Sequence, residues 1–336
     1  MIHGHGDDAF RYVGKIRINF STNIYQGIDH SKLRSHLYAL GDVFRNYPEP
    51  EPRSIETLLA SRMGIDPECV IVTNGATESI YLLAQLKHDG LSAVCSPTFS
   101  EYQDACHIFH HRVAHFRSLD EIPADSSCVW ICNPNNPTGK VTDRQSLINV
   151  IDSNPDKLFV VDQAYADYTL KQVLDVKDAT CRRNLILLSS LTKRYAIPGL
   201  RIGYAIGNAA IISQLRAMRM PWSVNSLAIE AARYLLSHDE DYVIDSRRLH
   251  EEALRISSTF SEIGIKVTDT DCNFLLAELP SSSALSLKNR LIDRHGILIR
   301  DASNFHGLGA RHFRVAAQSP EENDILINAL KEWNTL

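Results

Sequence analysis

The stretch Leu185-Ile186-Leu187-Leu188-Ser189-Ser190-Leu191-Thr192-Lys193-Arg194-Tyr195-Ala196-Ile197-Pro198-Gly199-Leu200-Arg201 decides how this chain is read. Four consecutive apolar residues make a buried strand, and small hydroxyl-bearing residues follow it with a single lysine among them. In open α/β sheets the carboxyl ends of the strands face the ligand crevice, so Lys193 is expected at its mouth. Ser190, Thr192 and Arg201 can surround an anion there. Taken alone, the stretch is equally compatible with an ordinary surface lysine at a strand end.

Working outward, short apolar runs alternate with helix-like segments. Val70 to Thr73, Ala93 to Cys95, Cys128 to Cys132, Leu158 to Val161 and Ile202 to Ile206 share the strand character of Leu185 to Leu188. They are apolar on both faces. Ser79 to Leu86 and Arg144 to Asp152 between them read as helices, which implies a mostly parallel sheet covered on both sides. Beyond about residue 230 come long charged amphipathic stretches, Ala228 to Leu236 and Asp241 to Phe260. Strand-like Asn273 to Glu278 and Phe313 to Ala316 follow, as in a smaller α+β domain. The expected division is an amino-terminal segment (1–35) packing with the small domain, a large domain (36–230) and a small carboxy-terminal domain (231–336).

Composition narrows the function. The 336 residues carry a net charge of −5 with 44 % hydrophobic and 22 % charged residues, which gives no electrostatic case for nucleic acid or an anionic membrane. No apolar run approaches the length of a spanning helix, and the opening Met1 to Asp8 lacks the basic-then-apolar pattern of a signal peptide, so a cytoplasmic location is expected. Seven scattered cysteines suit reduced core thiols. His107, His110, His111 and His115 include helical i, i+4 spacings, but no carboxylate or cysteine completes a metal site, and a solvated helix end is expected. Gly199 to Gly203 lacks the spacing and the acidic residue of a dinucleotide fingerprint. Asp239-Glu240-Asp241 and Asn208 read as solvated surface and loop.

Chemistry concentrates at the strand ends. After Thr73, Asn74-Gly75-Ala76-Thr77-Glu78 is a glycine turn opening a helix, whose free amides can hold a phosphate or simply turn the chain. Tyr102, after Cys95, can lie flat on a planar ring or fill the core. Asn133-Pro134-Asn135-Asn136-Pro137 is stiffened by two prolines so that an asparagine amide can point into the crevice. Asp162 ends the next strand; it can pair with a pyridine nitrogen and keep it protonated, or cap a helix. Tyr165 lies three residues on. A lysine fixed by packing and flanked by charge is an imine former, and the cofactor that most often asks for one is pyridoxal phosphate.

In this order, over essentially the whole length, these elements resemble the class I and II family of fold-type I pyridoxal-phosphate enzymes. The resemblance implies an α/β large domain with a mostly parallel seven-stranded sheet and a smaller α+β domain. It implies that Lys193 carries the cofactor, Asp162 pairs with its ring nitrogen, Asn136 and Tyr165 hold its phenolic oxygen, and Tyr102 stacks on the ring. The cofactor phosphate would take the amides of Ala76 and Thr77, the hydroxyls of Ser190 and Thr192, and Arg201. Tyr47 matches a tyrosine that family members send to the neighbouring subunit's cofactor, implying a homodimer with shared sites. Arg314 matches the arginine that grips a substrate α-carboxylate.

Met220 to Asn225, Ser190 to Gly203, Leu298 to Phe305 with Gly307-Leu308, His3 to Gly6 and Phe20 to Ile24 look like the threonine-phosphate decarboxylases of the cobalamin pathway. They resemble the histidinol-phosphate aminotransferases less. Both groups take a small phosphorylated amino compound, which makes His5, Asn23 and Arg300 candidates for the substrate end. Gln163 departs from the usual glutamate, Tyr165 from the phenylalanine the decarboxylases tend to carry, and Asn46 from the arginine that commonly precedes the tyrosine. A non-catalytic, binding-only relative would be expected to carry a DNA-binding module, and none is visible in the sequence.

Overall fold

The computed structural model describes residues 7–334. Its strands, in chain order, begin with the two-residue β1 (Ile18–Asn19) and continue with β2 (Val70–Thr73), β3 (Leu91–Cys95), β4 (Arg112–Phe116) and β5 (Cys128–Cys132). Then come β6 (Leu158–Asp162), β7 (Leu185–Ser189), β8 (Gly203–Gly207), β9 (Lys266–Val267), β10 (Phe274–Glu278), β11 (Ile297–Leu298), β12 (Arg300–Asp301) and β13 (His312–Ala316).

The large sheet has seven strands in the order β2-β8-β7-β6-β5-β3-β4, parallel throughout except for β8, which runs against both neighbours. The apolar runs are explained by this placement. Leu158, Val160, Ile186 and Leu188 pack into one core, while Phe159, Val161, Leu185 and Leu187 pack into another on the opposite face. A strand covered on both sides cannot alternate apolar with polar. The carboxyl ends of β5, β6 and β7 consequently open on one edge, each followed by a polar turn.

The smaller sheet is antiparallel, in the order β12-β13-β10-β9, and shares its core with the helices Ser246–Glu262, Ala284–His295 and Pro320–Asn334. Leu249, Ala253, Ile256 and Phe260 form the buried stripe of the first of these. That helix starts at Ser246, because Asp245 caps it by accepting from the Arg248 N–H at 3.0 Å; the expected start at Asp241 falls instead in a short 3-10 turn. Near the amino end, β1 pairs with β11 and Phe20 enters the small core. Leu33, on the helix Ser31–Ala39, joins a large-domain core with Leu59 and Ala232.

The histidine-rich stretch differs from expectation. The helix Glu101–Ile108 ends before His110, and β4 follows. His111 is buried, its ring nitrogens meeting Ser92 Oγ and the Ala84 carbonyl, each at 2.8 Å. His115 lies on β4. A positive φ at His110 (61°) breaks the helical period that the i, i+4 spacing suggested. Asn208, read as loop, caps the helix Ala209–Met218 through the Ala210 N–H.

Candidate active site

Lys193 sits on a one-turn helix, Leu191–Arg194, just past the end of β7. Its side chain enters a cavity of about 480 Å³ whose lining includes Ala76, Thr77, Tyr102, Asn136, Asp162, Tyr165, Ser190, Thr192, Arg201, Arg300 and Arg314. Burial, then the charges of Arg314 and Arg201, push its ammonium down to about 8, with Asp162 and Asp7 opposing. A lysine so placed holds a substantial neutral, nucleophilic fraction near neutrality. Nζ stands 5.9 Å from the Tyr165 ring centroid. The turn is braced from behind. Tyr168 Oη donates to the Lys193 carbonyl at 3.0 Å, and Arg194 and Tyr195 both engage Asp239. Asp239, read from sequence as solvated surface, is therefore a structural anchor; its partners are too distant in sequence for a local reading to find.

At one end of the cavity the helix Gly75–Leu86 directs its first-turn amides, among them those of Ala76 and Thr77, at the space beside Ser190 and Thr192. The two hydroxyls are 2.6 Å apart. Arg201 lies across the helix start: a Cβ at Gly75, where φ is +73°, would fall 2.7 Å from Arg201 Nη2. Gly203 is required for a different reason. A Cβ there would meet the Ala76 nitrogen at 2.6 Å and the Ser189 carbonyl oxygen at 2.8 Å, so β8 can approach the helix only as glycine. Backbone amides, hydroxyls and a guanidinium together make an anion cup suited to a phosphate.

Across the cavity, Asp162 ends β6. Its carboxylate accepts from Tyr102 Oη at 2.7 Å and the Ala164 N–H at 2.9 Å, and burial raises its pKa despite these bonds. Such a carboxylate gains most from a cationic partner. Tyr102, 1 % exposed, also stacks on Trp130 with ring centroids 5.7 Å apart. Arg314 on β13 donates to Asn136 Oδ1 and to the Ser21 carbonyl, joining the small domain to the turn after β5. Desolvation brings its pKa down to about 10. The Tyr165 hydroxyl is driven up by burial, so it is a donor throughout the working pH range.

Asn23 is buried against the cavity, and its amide makes no geometrically acceptable hydrogen bond among the described residues. Arg300 donates to the Asp301 carbonyl and to Asn304 Oδ1. Tyr47 is not among the lining residues; it stands 85 % exposed beside Trp222. His5 lies outside the described residues. Asp7, Glu101, Asn304 and Phe305 also line the cavity and were not singled out from sequence. Asn304 and Phe305 fall within the motif Leu298 to Phe305, while nothing local in the sequence marks Asp7 or Glu101.

Residues 15–330 match the family described as Aminotransferase class I and II. The chain belongs to that family. Among solved structures, it resembles L-threonine-O-3-phosphate decarboxylase from Porphyromonas gingivalis, with 33 % identity and a TM-score of 0.92 over 95 % of this chain and all of that one. The histidinol-phosphate aminotransferase of Caldanaerobacter subterraneus is 31 % identical across 87 % of each chain. The fold is shared with histidinol-phosphate aminotransferase from Sinorhizobium meliloti, solved with pyridoxal-5'-phosphate (17 % identity, TM-score 0.86, covering 97 % of this chain and 93 % of that one). This is a pyridoxal-phosphate-dependent enzyme family. The residues present suit the group: an anion cup for its phosphate, a buried carboxylate for its ring nitrogen, and a lysine of lowered pKa between them. No helix among the described residues is long and apolar enough to cross a membrane.

Proposed function

We propose that this chain decarboxylates L-threonine O-3-phosphate to (R)-1-aminopropan-2-yl phosphate. The observation that carries the reading is the pairing of two arginines. Arg300 and Arg314 stand directly opposite each other on β12 and β13, and both are buried. Like charges facing across a ladder destabilise a sheet, and burial aggravates the cost. The arrangement makes sense when two anionic groups of one substrate occupy the site. An amino acid bearing both a carboxylate and a phosphate supplies them. The likeness to the Porphyromonas gingivalis decarboxylase supports the same substrate.

In this reading Lys193 would carry pyridoxal phosphate, the cup of Ala76, Thr77, Ser190, Thr192 and Arg201 would hold its phosphate, Asp162 would keep its ring nitrogen protonated, and Tyr102 would pack against its ring. Bound there, the cofactor would supply an electron sink for a bond to the substrate Cα. Arg314 takes the substrate α-carboxylate and is itself oriented by Asn136. Arg300 would take the phosphate, with Asn23 lining the same cavity. Lys193 Nζ, with its lowered pKa, would be the group that returns a proton to the substrate Cα. Tyr47 belongs to the cofactor site of a second copy. Phe44, Tyr47, Met220 and Trp222 leave large apolar groups exposed on one chain, and Trp222 holds a left-handed φ of 60°, a strain kept at functional surfaces.

Cofactor-loaded enzyme incubated with L-threonine O-3-phosphate and no keto acid should release carbon dioxide over many turnovers. If none is released, while histidinol phosphate converts the cofactor to its amine form and 2-oxoglutarate restores it, the chain is an aminotransferase and the reading is wrong.

A further inference from the structure

The residues that follow Arg300 turn back onto its guanidinium. Asp301 Oδ1 accepts from the Ser303 N–H at 2.9 Å, and the Phe305 N–H donates to the Ala302 carbonyl at 3.2 Å, so the chain reverses just after β12. The reversal brings two side chains to the arginine. Arg300 Nη2 donates to Asn304 Oδ1 at 2.7 Å, and its Cζ lies over the Phe305 ring, 5.2 Å from the centroid. Nη1 donates to the Asp301 carbonyl at 2.7 Å. Two bonds and a ring face fix the plane of a guanidinium on a side chain that otherwise samples many rotamers. Arg300, Asn304 and Phe305 all line the cavity.

The turn is itself seated on the large domain. His306 stacks on His115 of β4, with ring centroids 3.6 Å apart and planes inclined by 10°, and His115 Nδ1 meets Ser96 Oγ at 2.8 Å. The stack therefore adjoins, in sequence, the two residues that hold Arg300.

The chemical character of these contacts is informative. An amide oxygen, a backbone carbonyl and an aromatic face each favour a cation without neutralising it. Arg314, opposite on β13, is held by the same kinds of group: Asn136 Oδ1, the Ser21 carbonyl and the Phe274 ring, whose centroid is 6.0 Å away. An aspartate at position 304 would bond Arg300 more strongly, but it would set one anion beside any other that the guanidinium receives. Asparagine fixes the geometry and leaves the charge.

We propose that Asn304 and Phe305 are positioning residues that hold the Arg300 guanidinium with neutral groups, so that its charge serves the phosphate of an O-phosphorylated amino substrate. The inference rests on the assignment of Arg300 to that phosphate. It concerns binding and not the bond broken at Cα, so its signature is a change in KM at constant kcat, confined to phosphorylated compounds.

The test uses the holoenzyme as wild type, Asn304→Ala, Asn304→Asp and Phe305→Leu. The quantities read are kcat and KM for L-threonine O-3-phosphate, and the inhibition constant of L-threonine, which lacks the phosphate. Asn304→Ala should raise KM roughly tenfold at unchanged kcat. Asn304→Asp, which keeps an acceptor at the same atom, should raise it further still, and Phe305→Leu should raise it roughly threefold. L-threonine should inhibit all of these forms alike, which also shows that each variant keeps its site. If Asn304 only braces the loop, aspartate is milder than alanine, and that order overturns the proposal. An unchanged KM in Asn304→Ala, or a weakening of L-threonine inhibition equal to the rise in KM, overturns it as well. Should the wild-type enzyme not turn over L-threonine O-3-phosphate, the functional reading fails, and dissociation constants for L-histidinol phosphate and L-histidinol, read from the cofactor absorbance, replace KM and the inhibition constant in the same comparison. A wild-type enzyme that prefers the phosphorylated member of neither pair overturns the role of both residues.

Discussion

Replacing Gly203 with alanine should damage the phosphate cup without touching a residue that contacts the cofactor through its side chain. The added Cβ would stand 2.6 Å from the Ala76 nitrogen, 2.8 Å from the Ser189 carbonyl oxygen and 2.9 Å from the Gly75 carbonyl carbon. Non-bonded heavy atoms pack best at about 3.5–4.0 Å, so the start of the helix Gly75–Leu86 must retreat by several tenths of an ångström. All three neighbours are backbone, and none can swing aside. Overpacking of this kind costs about 1–3 kcal/mol, read as a lower thermal midpoint of the apoprotein. The displaced Ala76 amide would also lose the hydrogen bond proposed for it to the cofactor phosphate; a bond to a charged group is worth about 1.5–3 kcal/mol, or roughly ten- to a hundredfold in affinity. Pyridoxal phosphate titrated against tryptophan fluorescence measures that loss. A Gly203→Ala protein with wild-type midpoint and wild-type cofactor affinity would refute the cup as drawn.

Other consequences are open to measurement. The folded-state pKa of Lys193, about 8 against an ordinary 10.5, means the unfolded chain binds the extra proton between those values. Apoprotein stability should rise with pH across that window, a dependence that Lys193→Met removes, and the rate of cofactor capture should level off above about pH 8; a capture rate still climbing near 10 would contradict the value. Glu56 is fully buried among Arg219, Arg216 and Arg53, and it accepts the Val72 N–H. Glu56→Gln should lower stability by about 1–3 kcal/mol in urea titrations, because Arg219 and Arg216 would then be compensated, among the described residues, only by the half-exposed Glu51 and Glu68, and a near-neutral result would show the network to be incidental. Mixing Lys193→Ala and Tyr47→Ala subunits, each inactive alone, should restore roughly a quarter of the native sites if Tyr47 serves a second copy in a two-fold dimer; no recovery would place Tyr47 outside the site.

The large sheet could be read from sequence because its strands are buried on both faces and followed by polar turns. Edge strand β4 was not, since Arg112-Val113-Ala114-His115-Phe116 carries the mixed character of an edge and its histidines mimic helical spacing. The two-residue strands β1, β9, β11 and β12 are too short to leave a pattern. For the candidate site, residues at strand ends were legible because the crevice position and the chemistry coincide. What was not legible depends on register and long-range pairing. The facing of Arg300 and Arg314 follows from the β12–β13 ladder, the anchoring of Arg194 by Asp239 joins residues 45 positions apart, and the Asp8–Lys288 pair joins segments near the two ends of the chain.

The most direct test of the central claim is to reduce the cofactor-loaded enzyme with borohydride and map the modified peptide by mass spectrometry. The pyridoxyl-phosphate mass should fall on Lys193, and Lys193→Ala should carry none while its apoprotein still unfolds in one cooperative transition. A label on any other lysine, or equal labelling of the Lys193→Ala protein, would contradict the site described here.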